Sequence, residues 1–206
     1  MDIGIVGVGM IGGTLAKLWA RAGHCVHLGS RTPSKAAALA KEIAAASSGS
    51  PEDAAGAAEV VLLAVPYSAT PELGEALGGL LQGNVLLDAG NPFEKRDGEV
   101  ARAAAKAGGS GLYTAECFPG ARVVKAFNTV HWETLEQEAH RDGERIGVPL
   151  AGDDENALEV ASSLAFDAGF DPVIVGGLAE AIRFEPGTEV WNSDLGGAAL
   201  RAKLGL

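Results

Sequence analysis

What most constrains this chain is the steady alternation of short apolar runs with helix-forming stretches, begun by a glycine-rich turn near the start. Asp2 to Val6 is a compact, largely β-branched run that ends at Gly7-Val8-Gly9-Met10-Ile11-Gly12. Gly12 to Ala22 then has helical spacing, with Leu15, Leu18, Trp19 and Ala22 on one face. Gly23 closes that helix, and Cys25 to Leu28 reads as a second strand. Repeated strand–helix–strand units of this kind bury their apolar faces only by building a mostly parallel sheet with helices on both sides.

The alternation continues along the chain. Pro33 fits the first turn of a helix running to about Ala46, and Ser47 to Pro51 is polar and expected to break structure. A short helix is expected over Pro51 to Ala58, a strand over Val60 to Val65, a helix from Pro71 to Leu81 and a strand over Asn84 to Asp88. Residues 91–98 read as a loop leading into a helix through about Ala107. Strands follow at Val123 to Asn128, Gly147 to Ala151 and Asp171 to Val175, with Asp154 capping a helix over Glu155 to Ala168. From Leu178 the pattern changes to a short helix ending at Phe184, a break at Pro186-Gly187 and a last helix near Ala198 to Leu204. The expected organisation is a doubly wound α/β domain over residues 1–177, with residues 178–206 as a small lobe packed on it.

Composition narrows the class. With 206 residues and 47% hydrophobic content the chain can bury a sizeable core. A net charge of −11 disfavours nucleic-acid binding. No apolar run is long enough to span a bilayer, and the expectation is a cytoplasmic protein without a signal peptide. Cys25 and Cys117 are far apart, lack metal-ligand spacing and read as free thiols, so no metal site is expected. The charge is uneven, however. Residues 1–41 hold five cations against one anion, whereas residues 42–206 hold eleven against twenty-six. A cationic quarter on an acidic protein points to a local anion site.

That site reads as a dinucleotide pocket. In a strand–turn–helix unit the pyrophosphate lies at the helix N-terminus, where free N–H groups and the helix dipole favour an anion. Gly7 permits the tight turn, Gly9 lets the backbone approach the phosphates, and Gly12 lets the helix pack on the strand. At the tip of the second strand, where an acid would grip an unphosphorylated ribose, the chain has Ser30 and Arg31, with Lys35 a turn into the next helix. No Asp or Glu lies between Asp2 and Glu42. Three donors in place of an acid favour NADP over NAD. Ligands in such sheets bind beyond the carboxyl ends of the strands, which nominates Ala64-Val65-Pro66-Tyr67 and Ala89-Gly90-Asn91-Pro92. Tyr67 is a candidate to pack over the cofactor, and Asn91 to hydrogen-bond it.

Several segments taken together resemble the NADPH:F420 oxidoreductase-like family. They are Gly7 to Gly12, Gly29-Ser30-Arg31 with Lys35, Ala64-Val65-Pro66, Asp88 to Pro92, Val124-Lys125-Ala126-Phe127-Asn128-Thr129 and Gly152-Asp153-Asp154, in that order. The resemblance covers most of residues 1–177, and the closing region from Glu185 looks like the bacterial branch. It implies a Rossmann sheet, NADP(H) on the glycine loop, a small C-terminal lobe and a homodimer. It also implies hydride transfer between nicotinamide and a planar small-molecule acceptor, coenzyme F420 or a flavin such as FMN or FAD. Such chemistry is carried by the cofactors and asks the protein mainly for alignment. Two other readings stand beside it: reduction of a small carbonyl or imine, and an NADP(H)-binding sensor or partner protein without turnover.

No catalytic side chain is assigned from the sequence. Asn128 and Thr129 lie near a strand end and are candidates to touch the cofactor or orient an acceptor ring. His131, beside Trp132, reads first as a loop histidine with a structural hydrogen bond. Lys125 reads as a strand-embedded lysine paired with a carboxylate, and Asp153-Asp154 as capping residues. Trp191 and Asn192 are expected to pack in the tail or to cover the cleft.

Overall fold

The computed structural model describes all residues, 1–206. In chain order the elements are β1 (Asp2–Val6), α1 (Met10–Arg21), β2 (Cys25–Gly29), α2 (Pro33–Ile43), β3 (Ser47–Gly49), α3 (Pro51–Gly56), β4 (Val60–Leu63), α4 (Thr70–Leu77), β5 (Val85–Asp88), α5 (Glu94–Lys106) and α6 (Ser110–Cys117). They continue as β6 (Arg122–Lys125), α7 (Trp132–Gln137), β7 (Gly147–Gly152), α8 (Glu155–Asp167), β8 (Asp171–Gly176), a 3-10 segment Leu178–Phe184 and α9 (Gly197–Leu204). The eight strands form one sheet in the order β3-β2-β1-β4-β5-β6-β7-β8, parallel throughout except where β7 runs antiparallel to β6. This is a Rossmann-like α/β fold. The order reverses between β1 and β4, which opens a crevice at their carboxyl ends.

The central strands are buried on both faces, as their unbroken apolar runs require. One face carries the larger core, in which Leu15 and Trp19 of α1 and Ala161 and Leu164 of α8 meet Ile3, Ile5 and Leu62 of the sheet. Trp19 donates its indole N–H to the Leu164 carbonyl at 2.8 Å, so its one polar atom is satisfied inside. The other face packs Leu73 and Leu77 of α4 and Phe118 against Val61, Leu63 and Leu86. A third cluster joins β7 and β8 to the tail through Val173, Phe184, Val190, Leu200 and Leu204. No helix is long and apolar enough to cross a membrane.

Three departures from the sequence reading have physical causes. Ser47–Gly49, expected as a break, is the edge strand β3, paired with His27–Gly29. The following Ser50 closes a capping box with Asp53 and so fixes where that strand must stop. Helix α5 begins at Glu94, inside the expected loop, and absorbs the misfit at Gly98, whose φ is 50° and ψ −119°. Helices α6 and α7 were not anticipated. Gly109, at φ 134°, turns the chain into α6, and Gly111 lies flat against Leu178.

Candidate functional site

The crevice holds a cavity of about 270 Å³ at the ends of β1, β2 and β4. Gly7, Val8, Gly9, Ser30, Arg31, Lys35, Ala64, Val65 and Pro66 all line it. Of the other residues nominated in the first two loops, Met10, Ile11 and the buried Gly12 form the first turn of α1, and Tyr67 lies in the core. The glycines divide by cause. Gly7 has φ 104°, and a Cβ there would meet the Ala64 carbonyl oxygen at 2.4 Å. A Cβ on Gly12 would fall 2.0 Å from the Gly7 carbonyl oxygen. Both are required by the fold. Gly9 is different, since its φ of −78° suits any residue and nothing lies within 4 Å of its Cβ position. Its missing side chain leaves open space directly before the first turn of α1.

That first turn is chemically prepared for an anion. Helix α1 has no side-chain cap and no acidic residue in its first turn, so its leading N–H groups are left for a ligand or water. Arg31 and Lys35 stand exposed at the rim, and neither has a carboxylate partner within ion-pair distance, unlike Lys17, which is held by Glu42 at 2.8 Å. Ser30 Oγ accepts the Thr32 N–H at 3.0 Å, which leaves the hydroxyl proton free to point outward. Open space at Gly9, free N–H groups and unpaired cations fit a phosphorylated dinucleotide. The sequence reading did not include Thr32, Pro51, Ala69, Glu72 or Leu73, which complete the cavity wall. Thr32 follows Arg31 as the N-cap of α2, whereas Pro51, Ala69, Glu72 and Leu73 are brought in by the starts of α3 and α4, which no local pattern announces.

The remaining nominated residues lie in a second region at the ends of β5 and β6, built around a buried polar network. Lys125 and Asp88 are both buried, and Lys125 Nζ donates to Asp88 Oδ2 at 2.9 Å and to the Gly90 carbonyl. Asp88 also accepts the Gly90 N–H at 2.8 Å and the Thr114 hydroxyl at 2.8 Å. Tyr67 sits below, its ring against Gly90, and donates its phenol to the Ser110 carbonyl at 2.7 Å. Burial, reinforced by the Asp88 carboxylate, pushes that phenol far above its ordinary range and keeps it neutral. The network ends in the tail, where Glu185 accepts from the N–H and hydroxyl of Ser110 at 2.5 and 2.6 Å. Lys125 is thus paired with a carboxylate, as its place in a strand predicts.

The network holds the loop Ala89-Gly90-Asn91-Pro92 in place. Asn91 Nδ2 donates to the Asn128 carbonyl at 2.7 Å, and Asn128 Nδ2 donates back to Asn91 Oδ1 at 3.2 Å. Phe127 takes a left-handed φ of 60°, a strained conformation that turns the chain after β6. The structure therefore brings Asn91 and Asn128 together but places them outside the main cavity. Trp191 covers this junction, donating its indole N–H to the Asn128 carbonyl at 3.0 Å and meeting Phe93 edge-on at 6.1 Å. Asn128 Oδ1 and Thr129 Oγ1 are buried and unpartnered. His131 is half exposed, 3.5 Å from Glu133, and Asp153 and Asp154 cap Leu178 and Ala157 at 2.7 and 2.8 Å.

Comparison with known proteins agrees with this geometry. Residues 2–92, the segment that builds the cleft, match the family described as NADP oxidoreductase, coenzyme F420-dependent. The match takes in the glycine turn, Ser30, Arg31, Lys35 and the Ala64-Val65-Pro66 loop. Over 186 residues the chain is 34% identical to Metalloreductase STEAP3 of Rattus norvegicus, a stretch making up 89% of this chain and 35% of that protein. The chain spans about a third of the length of the curated relatives it matches. Among solved structures, a hypothetical protein of Sinorhizobium meliloti, SMa0349, superposes with a TM-score of 0.78 at 27% identity, covering 95% of each chain. A protein of Arthrobacter sp. FB24, described as an F420-dependent NADP reductase, gives 0.74 at 26% identity over 88% of this chain and 87% of its own.

Proposed function

We propose that this protein is an NADPH-dependent oxidoreductase that delivers hydride to a planar heteroaromatic acceptor, a deazaflavin of the F420 type or a flavin. The observation that carries the reading is the cleft itself, in which the open space at Gly9 lies beside Ser30, Arg31 and Lys35 with no carboxylate at the β2 tip. The first turn of α1 holds the pyrophosphate through backbone N–H groups, and Ser30, Arg31 and Lys35 hold the ribose 2′-phosphate. Bound NADPH supplies the hydride. The chain's own part is to fix positions. The Lys125–Asp88 pair locks the Gly90 loop, and the reciprocal Asn91–Asn128 bonds tie that loop to the end of β6. These contacts make a rigid edge against which an acceptor ring is aligned, and Trp191 shields it from water. The family description and the F420-type neighbour support the deazaflavin as first choice of acceptor.

The test is NADPH oxidation followed at 340 nm, roughly the nicotinamide band, with F420, FMN, FAD and quinones supplied in turn. Turnover with F420 or a flavin is expected. Tight NADPH binding without oxidation of any acceptor would overturn the enzymatic reading in favour of a sensor.

A further inference from the structure

Glu72 is out of place in a cleft shaped for a polyanion. It lies in the first turn of α4, is exposed, and lines the same cavity as Arg31 and Lys35. It forms no ion pair with either of them, so it is not there to neutralise the cations. Its carboxylate takes no hydrogen bond from the protein, and although a first-turn acid suits the helix dipole, that role leaves both oxygens free. A bare carboxylate facing phosphate would weaken binding, and its place is therefore opposite a neutral, N–H-donating part of the ligand. Around it the wall is apolar, built by Val65, Pro66, Ala69 and Leu73, which suits the flat face of a base.

We propose that Glu72 recognises the adenine of the cofactor, accepting a charge-assisted hydrogen bond from its exocyclic amine. The proposal rests on the NADP reading of the cleft and adds what that reading leaves open: which base the site selects. A purine carrying a carbonyl in place of the amine presents lone pairs to the carboxylate at that position, and its one new N–H sits at the neighbouring ring nitrogen, out of line with a contact made to the amine. A site built to accept from an N–H discriminates strongly against an analogue that lacks it. The phosphate cations thus come from the β2–α2 junction and the base acceptor from α4, all lining one cavity.

Equilibrium binding of NADPH and of its hypoxanthine analogue to the intact protein tests this, with Glu72→Gln and Glu72→Ala alongside. The unaltered protein is expected to prefer NADPH by about tenfold or more, the range for a lost charge-assisted bond. Glu72→Gln, whose amide both donates and accepts, is expected to bring the two ligands within roughly threefold, and Glu72→Ala to weaken NADPH chiefly. Equal binding of both ligands by the unaltered protein would overturn the proposal. So would an equal loss for both in Glu72→Ala, which would point to the ribose hydroxyl instead. Failure of the unaltered protein to bind NADPH at all would sink the NADP reading itself, a different outcome from either of these.

Discussion

The two ends of the sheet's carboxyl edge solve opposite problems. At β1, β2 and β4 the groups that matter are left incomplete: α1 starts uncapped, Arg31 and Lys35 lack partners, and Gly9 borders empty space. At β5 and β6 everything charged is closed off, with Lys125, Asp88, Thr114 and Tyr67 satisfying one another out of reach of solvent. The open end is finished by a ligand and the closed end by the protein. An ion pair at the open end would compete with phosphate, and an unpaired charge at the closed end would unfold it.

The sharpest way to break the contrast is Lys125→Met, which leaves Asp88 buried and uncompensated. A loss of about 3–5 kcal/mol in urea unfolding is expected, and a loss below about 1 kcal/mol would show that the closed end tolerates an unpaired carboxylate. Arg31→Glu works in the reverse sense. NADPH affinity should fall by about 100-fold with a much smaller change for NADH, while the unfolding midpoint stays where it was. Equal losses for the two cofactors would remove the 2′-phosphate from this wall.

The third variant probes pH. Asp97 is buried beside Phe93, and although burial alone pushes its carboxyl up, bonds from Arg96 and from the N–H groups of Phe93 and Ser68 pull it below the usual range. A group whose folded value is depressed stabilises the fold above its unfolded value and loses that contribution as pH falls through the folded one. The protein should therefore lose stability as pH falls below the ordinary carboxylate range. Asp97→Asn should flatten that acid limb. An unchanged limb in urea titrations at several pH values would assign acid sensitivity elsewhere.

The contrast also explains what the sequence made legible. The open end is written in short-range signals: glycines at fixed spacing, a missing acid, cations without acidic neighbours. The closed end depends on residues far apart in the chain. Asp88 and Lys125 each end an apolar strand, a readable hint of a buried pair, but only the β5–β6 pairing puts them opposite each other. Tyr67 was a candidate to cover the cofactor because it follows the β4 loop, yet the α6 helix behind it, hidden by Gly108-Gly109, draws its phenol inward. Glu72 had no local signature, since an acidic residue after Pro71 is also what a helix start would select. The tail joins the network through Glu185, a contact spanning 75 residues that no pattern within either segment announces.

Gly9 differs from its two partner glycines in what its size is for. Its smallness serves no turn and relieves no crowding, so a single added methyl there would leave the architecture standing while closing the space before α1. Folding places no selection on that position. The position separates holding the architecture from leaving room for a ligand, two demands that Gly7 and Gly12 cannot separate.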